Sequence, residues 1–279
     1  ALHASPPLPE LRRGLLLLAN VCEEGEGNLN GMRHFCEDSP LGAKARAFLV
    51  LDGPALDHIT STALESRRYE VLFSGPGGHS WSDFGTANPV HALGRALACF
   101  LEQQAGAAAG GGCSYNFGWV EGGTGVNSIP TFARAKVDLR SETSERMEAL
   151  YRLLTSAVER GAAAENEQAA AGRVSARVRP IGVRPGGRLP EDAAVLRCVR
   201  AVDAHLGIRA KLDCASTDAN IPLSKGLQAV SIGAGGAGGG AHTPSEWYHP
   251  RGRDLGLKRV LLTLCLLLRE AHLAGGRGE

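Results

Sequence analysis

The chain has 279 residues and a mass of 29.2 kDa, enough for one large domain or two smaller ones. Its 30 lysines and arginines balance 29 aspartates and glutamates, which excludes the basic excess typical of general nucleic-acid-binding proteins. The longest apolar stretch, residues 260–268, is about half of the ~20 residues that a bilayer span requires, so no membrane segment is predicted. Seven scattered cysteines without a CxxC pair indicate reduced thiols and a cytoplasmic location.

The first part of the chain has the pattern of an α/β fold. Two continuous apolar runs, residues 15–21 and 47–51, are typical of strands that are buried on both faces. A polar turn and a helical stretch at residues 29–37 separate them. This order predicts a right-handed βαβ unit in a mostly parallel sheet.

The pattern changes near Arg68, where a second domain is predicted. Its elements follow the ferredoxin-like order βαββαβ, with a loop of small residues at 105–112 after the first helix. They are residues 69–74, 88–104, 115–120, 131–139, 142–160 and 173–178. We therefore predict an inserted domain at residues 68–180.

The α/β pattern resumes after this insertion. A helix at residues 191–206, a strand at 229–232 and a final helix at 253–273 are predicted. Residues 1–67 and 181–279 would then form one catalytic domain in two parts.

Acidic and imidazole side chains follow three of the predicted strands. Glu23 and Glu24 come after the first strand, Asp52 follows the second, and His242 follows the loop after residues 229–232. Ligands of open α/β sheets bind beyond the carboxyl ends of the strands. Two carboxylates and a histidine suit zinc, and a further carboxylate can accept a proton. The residues alone leave open whether this is a metal site or a solvated acidic turn.

Three more polar residues belong to the predicted insertion. His79 stands in a glycine-rich turn, which either presents its imidazole to a ligand or leaves it as an ordinary surface histidine. Asn127 and Arg140 flank a predicted strand. Arg140 can bind a substrate carboxylate through its guanidinium, or it can pair with a neighbouring carboxylate such as Asp138.

Two other motifs match functional patterns only formally. The glycines at 233, 235 and 238 fit a dinucleotide-binding fingerprint, but Thr243-Pro244 follows where a helix would have to begin. The run Gly78-His79-Ser80-Trp81-Ser82 resembles a nucleophile elbow, but its fifth residue is not glycine. We therefore predict neither nucleotide binding nor a serine hydrolase.

Six segments in chain order carry a resemblance to one enzyme family. They are Cys22-Glu-Glu-Gly-Glu-Gly27, Leu51-Asp-Gly-Pro54, Ser74-Gly-Pro-Gly-Gly-His-Ser80, Gly122-Gly-Thr-Gly-Val-Asn-Ser-Ile-Pro130, Val137-Asp-Leu-Arg-Ser141 and Gly240-Ala-His-Thr-Pro-Ser-Glu246. Together they resemble the zinc-dependent amidohydrolases and exopeptidases, a family that includes peptidase T, carboxypeptidase G, aminoacylase, acetylornithine deacetylase and succinyl-diaminopimelate desuccinylase. The similarity extends over residues 15–273.

The resemblance implies a function for each candidate residue. Glu24, Asp52 and His242 match zinc ligands, and Glu23 matches the general base. His79 matches a histidine of the inserted lid that steadies the oxyanion in the neighbouring subunit. Asn127 and Arg140 match lid residues that bind the substrate, with Arg140 on its free carboxylate.

The resemblance also implies a reaction and partners. Members hold two zinc ions per subunit, lower the pKa of a bound water to about 7 and direct it at an amide carbonyl. The expected substrate is a small peptide or an N-acyl amino acid. The expected assembly is a homodimer formed through the lid domain.

One part of the family's site has no counterpart here. Members carry a His-x-Asp motif and a bridging Asp upstream of the Glu-Glu pair, whereas no aspartate precedes Glu23 in this sequence. Either the given chain lacks an N-terminal segment, or it is a degenerate homologue. In both cases we expect at most a partial zinc site, little hydrolysis and an exposed apolar surface around residues 15–21. The alternative function is a non-catalytic dimerising module.

Overall fold

The computed structural model describes residues 14–104 and 111–275. The chain divides into an outer unit, Ala1–Ala63 with Pro185–Glu279, and a central unit, Leu64–Arg184. The helices are α1 Asn30–Asp38, α2 Pro89–Gln104, α3 Ser144–Gln168, α4 Ala194–Leu206, α5 Asn220–Ser224 and α6 Arg253–Gly275. The strands are β1 Ala47–Leu51, β2 His58–Ala63, β3 Glu65–Ser74, β4 Gly78–His79, β5 Cys113–Gly122, β6 Ser128–Ile129, β7 Phe132–Ser141, β8 Ser175–Arg184, β9 Gly187–Arg188, β10 Lys211–Ala215, β11 Gln228–Ile232, β12 Ala237–Gly239 and β13 Trp247–His249.

The central unit is a ferredoxin-like sheet with two helices. Its four long strands are antiparallel, lie in the order β5-β7-β3-β8, and alternate with α2 and α3 along the chain as βαββαβ. Strand β7 shows why the sheet has one apolar face, because every second residue is buried. Its Ala133, Ala135, Val137 and Leu139 pack into a core that the two helices share. The predicted ferredoxin-like insertion is confirmed.

Small residues let the two helices of the central unit approach each other closely. A Cβ atom on Gly161 of α3 would lie 2.7 Å from the Ala92 carbonyl oxygen and 2.8 Å from the Ala96 backbone nitrogen, both in α2. A side chain at residue 161 would therefore separate the helices. The helix pair covers one face of the sheet and leaves the polar residues of β7 on the other.

The outer unit contains a five-stranded mixed sheet. Strands β1 and β11 pair in parallel over five residues each, and β2 and β10 also run parallel. The two pairs meet antiparallel where β11 contacts β2, and the short β9 adds to β2. Helices α1 and α4 contribute buried apolar side chains to the core of this sheet. The predicted α/β class is confirmed, although the sheet is more mixed than predicted.

The predicted strand at residues 15–21 is wrong. This segment has no assigned secondary structure, and four of its apolar side chains are exposed, with Leu17 exposed to 80%. A strand that is buried on both faces needs ladder partners on both sides, and no described strand pairs with this segment. The apolar run therefore lies exposed on the outer unit, as the departure from the family's pattern predicted.

Three strands of the outer sheet were not predicted, and one of them is the two-residue strand β9. Strand β2 buries the hydroxyl residues Thr60 and Ser61, and β10 is mostly exposed, so neither carries a clear apolar pattern. Of the predicted loop at 105–112, residues 105–110 lie outside the described part of the chain. The other predicted elements are present, with ends that shift by a few residues or, for α3, by eight.

Helix α6 contains the long apolar run of the sequence. Val260 and Leu267 pack against the outer core, and Arg259 and Thr263 are fully buried beside them. Within the described residues, no helix has both the length and the hydropathy that a membrane span requires.

A buried thiol in α4 gives a pH-dependent test of this packing. Burial, followed by the nearby Glu270 carboxylate, raises the pKa of Cys198 to about 11. Because the thiolate is the reactive form, little of it exists at pH 8, and alkylation of Cys198 should accelerate up to about pH 11. Peptide mass spectrometry after iodoacetamide treatment should find the exposed Cys22 modified first. Equal rates for the two thiols in the folded chain would contradict this packing, whereas equal rates in urea are expected.

Candidate functional site

The carboxyl ends of β1 and β11 lie side by side in the outer unit. The Asp52 amide donates a hydrogen bond to the Ile232 carbonyl at 3.1 Å, and the Ala234 amide donates to the Gly53 carbonyl at 2.9 Å. A Cβ atom on Gly233 would lie 1.7 Å from the Ala55 carbonyl oxygen, so only glycine permits this approach. The loops that carry Asp52 and His242 therefore leave the same edge of the sheet.

A strained turn presents His242. His242 follows strand β12, which pairs antiparallel with β13. The Thr243 amide donates a hydrogen bond to the Gly240 carbonyl at 3.0 Å, which closes the turn. His242 has φ of +63°, which non-glycine residues rarely adopt. Such strained positions cluster at functional sites, and this turn leaves the imidazole largely exposed.

The acidic turn before α1 is closed by its own backbone. Cys22 has φ of +61°, and its carbonyl accepts a hydrogen bond from the Leu29 amide at 2.9 Å. Within the turn, Glu23 is partly buried and Glu24 is exposed. The Glu24 Oε2 atom lies 4.0 Å from His242 Nδ1, and about four-fifths of each side chain is exposed. Two candidate residues that are 218 positions apart in the sequence therefore meet.

This pair fits two ligands of a zinc ion, but it does not complete a site. Zinc bonds of about 2.0–2.1 Å in tetrahedral geometry place neighbouring ligand atoms roughly 3.3 Å apart. The two exposed side chains would have to approach each other by a further ~0.7 Å from the observed 4.0 Å. Among the described residues, no group of three or more His, Cys, Asp or Glu side chains is arranged to hold a metal ion. Asp52 is exposed at the end of β1, and its place in a common ligand set remains a prediction.

His79 and Asn127 come together in the central unit. They lie on a ribbon formed by β4 and β6, where the Ser80 amide donates to the Asn127 carbonyl at 2.9 Å. The Nδ1 atom of His79 accepts from the amides of Trp81 at 3.2 Å and Ser82 at 3.3 Å. These two donors assign the neutral tautomer whose proton is on Nε2. The imidazole is therefore oriented to donate a hydrogen bond from Nε2.

Arg140 pairs with a carboxylate on its own strand. Its Nε donates to Asp138 Oδ2 at 2.9 Å, and Asp138 also accepts from the Ser66 hydroxyl at 2.7 Å. The ordinary ion pair that the sequence allowed is therefore present. About two-fifths of the Arg140 side chain remains exposed, so a role in substrate binding remains a prediction.

The central unit separates Arg140 from the ribbon. The ribbon extends the Phe132 end of β7, whereas Arg140 lies eight residues further along the same strand. At about 3.4 Å per residue, the two ends are about 27 Å apart. A small substrate cannot contact Arg140 and Asn127 of the same chain.

Neither formal motif is followed directly by the helix that its pattern requires. The glycine run after β11 leads into the short strand β12 and not into a helix, so no helix N-terminus is available for a pyrophosphate. Ser80 lies in a turn that no helix follows directly.

Asn20 and Asp218 were missed by the sequence analysis. The Asn20 amide group donates to the Asp218 carboxylate at 2.6 Å, which ties the segment before the acidic turn to the loop after β10. That loop is the polar run Ser216-Thr217-Asp218-Ala219-Asn220, whose composition is typical of a hydrogen-bonded turn. Composition indicates the turn, but it does not indicate a contact across 198 residues.

Comparison with known proteins identifies the central unit. Residues 66–166 match the profile of the M20 peptidase dimerisation domain. This match lies within the central unit and spans about a third of the chain. The predicted resemblance to amidohydrolases and exopeptidases is thereby confirmed, whereas a comparison with curated protein sequences finds no match.

Solved structures share the fold around this dimerisation domain. Aminopeptidase PepT from Bacillus cereus is 18% identical with a TM-score of 0.68, over 90% of this chain and 63% of its own. A tripeptidase from Staphylococcus aureus is 18% identical with a TM-score of 0.70, over 87% and 62%. An amidase of the hydantoinase/carbamoylase family from Burkholderia vietnamiensis is 18% identical with a TM-score of 0.63, over 80% and 55%. The chain thus spans less than two thirds of each.

Proposed function

We propose that the chain hydrolyses an amide bond in a small peptide or an N-acyl amino acid with a free carboxylate, and that this activity depends on zinc. The observation that carries the proposal is the approach of Glu24 and His242 at the edge where β1 and β11 end. The peptidase, tripeptidase and amidase among the similar structures support an amide substrate.

Each candidate residue has a distinct role in this proposal. Glu24 and His242 hold the metal, with Asp52 as the third ligand, and a bound zinc ion would supply an acidic water and polarise a carbonyl. Glu23, which the turn keeps partly buried, serves as the proton acceptor. Because the described residues contain no group of three or more side chains arranged to hold a metal ion, we expect weak zinc binding and slow turnover.

We propose further that two copies of the chain form each complete site. The separation of about 27 Å along β7 prevents one copy from placing both Arg140 and Asn127 on a small substrate. A homodimer through the dimerisation domain removes this conflict if His79 and Asn127 come from the second copy. Trp81, Phe84 and Val126 on the adjoining loops are almost fully exposed, as expected of a surface that another molecule covers.

A non-catalytic dimerising module is the second candidate. The incomplete ligand set of the described residues favours it, and none of the proposed metal ligands lies within residues 66–166, which match the dimerisation domain. Zinc-dependent turnover separates the two candidates.

Subunit complementation tests the proposed function. Glu23→Gln and His79→Ala should each abolish zinc-dependent release of amine from N-acyl amino acids and tripeptides. Mixed and allowed to exchange subunits, the two variants should recover about one quarter of the activity, because half of the dimers are hybrids with one intact site.

Two results would contradict the proposal. A wild-type chain that binds zinc without any turnover would favour the dimerising module. Turnover in the wild type without recovery in the mixture would exclude a site that is shared between copies. Analytical ultracentrifugation of each variant confirms that dimers are present.

A further inference from the structure

A hydrogen bond from Asn20 to Asp218 lies at the start of the acidic turn. Asn20 Nδ2 donates to Asp218 Oδ2 at 2.6 Å, three residues before Glu23. Asp218 is buried, and a bond from an amide to a buried carboxylate is stronger than a neutral one. This contact joins the segment before the turn to the loop after β10, 198 residues further along the chain.

Apolar packing does not hold this segment. Leu17 and Val21 are 80% and 66% exposed, and Leu16 and Leu18 are about half exposed. Their burial contributes little to order the backbone. The hydrogen bond from Asn20 therefore contributes more to positioning this turn than one hydrogen bond would contribute in a well-packed segment.

The acceptor itself is held rigidly. The Thr217 amide donates to Asn220 Oδ1 at 2.9 Å, and the Ala219 amide donates to Thr217 Oγ1 at 3.1 Å. Asn220 is fully buried and donates to the Pro185 carbonyl at 3.0 Å. These bonds fix the loop on both sides of Asp218.

Asn20 also contacts the helix that follows the turn. A Cβ atom on Gly31 of α1 would lie 2.1 Å from Asn20 Oδ1 and 2.4 Å from the Val21 carbonyl oxygen. Together with the bond from Leu29 to Cys22, this contact fixes both ends of the turn that carries Glu23 and Glu24.

We propose that Asn20 and Asp218 are positioning residues for the acidic turn. They hold Glu23 and Glu24 in place without contacting the metal or the substrate. The proposal rests on the proposed function for the importance of the turn, but the positioning itself does not require zinc.

Hydrogen exchange of the full chain tests the positioning. Asn20→Ala and Asp218→Ala should each accelerate amide exchange at Gly27 and Leu29 at least fivefold, as should Gly31→Ala, which displaces Asn20. The double variant Asn20→Asp/Asp218→Asn reverses donor and acceptor and should restore exchange to within twofold of the wild type. The matched control is Asp213→Ala, which removes an exposed carboxylate of β10.

Zinc calorimetry on the same variants gives the second measurement. The single variants should weaken zinc binding, and the reversed pair should recover it. Unchanged exchange in Asn20→Ala would overturn the proposal, as would faster exchange that the reversed pair does not correct. If the wild type binds no zinc, the proposed function fails, and the exchange rates alone decide whether the pair positions the turn.

Discussion

Replacing Asp203 with alanine should lower the free energy of unfolding of the outer unit by about 3–5 kcal/mol. Asp203 of α4 accepts two hydrogen bonds from Arg259 of α6, both at 2.6 Å. Arg259 is fully buried, and Asp203 is nearly so. Removal of the carboxylate leaves a buried guanidinium without its counter-charge, which costs far more than the pair contributes as a whole.

Urea denaturation followed by circular dichroism measures this change. The control is Asp254→Ala, which removes an exposed carboxylate that lies 3.9 Å from Lys258 on the same helix and should cost less than about 1 kcal/mol. The double variant Asp203→Leu/Arg259→Met should be much closer to the wild type than Asp203→Ala, since it leaves no buried charge. A cost below about 1 kcal/mol for Asp203→Ala would show that the pair is hydrated.

Replacing His242 with alanine should weaken zinc binding at least tenfold. The wild type should bind zinc with a dissociation constant weaker than about 1 µM, because no third ligand joins Glu24 and His242 in a metal-binding group among the described residues. Loss of the imidazole leaves carboxylates alone, which bind zinc poorly without a nitrogen or sulfur ligand. Isothermal titration calorimetry measures both affinities.

The chain offers a matched control for this measurement. His34 and Asp38 of α1 form another exposed histidine–carboxylate pair, 2.9 Å apart. His34→Ala should change the zinc affinity by less than twofold. A larger loss of zinc affinity in His34→Ala than in His242→Ala would indicate that zinc binds at His34 and Asp38, and this would contradict the proposed site.

Local pattern was enough to predict the strands and helices with strong periodicity. The apolar run of β1, the alternation of β7 and the helix after Asn88 are all present near their predicted bounds. These signals arise within a few residues of one another, so a single sequence contains them.

The wrong and missing elements depend on distant neighbours. Residues 15–21 have the composition of a buried strand, but no described strand supplies their ladder bonds. Strand β2 is buried with hydroxyl residues because its neighbours β10 and β11 satisfy its backbone. Neither outcome can be read from the segment alone.

The candidate site shows the same division. Strand ends predicted that Glu24, Asp52 and His242 would meet at one edge of the sheet. Glu24 does lie beside His242, although the strand predicted to precede it is not formed. The contact of Asn20 with Asp218, and the distance of Arg140 from Asn127, follow from the tertiary structure and from the length of β7. Motif order therefore identified the residues but not which of them share a site.

X-ray absorption spectroscopy of the zinc-loaded chain tests most directly whether Glu24 and His242 share a metal ion. The expected spectrum shows an imidazole nitrogen and carboxylate oxygens at about 2.0–2.2 Å, and the imidazole contribution disappears in His242→Ala. Sulfur scattering at about 2.3 Å would instead indicate the exposed Cys22 as a ligand. That result, or an unchanged spectrum in His242→Ala, would contradict the proposed metal site.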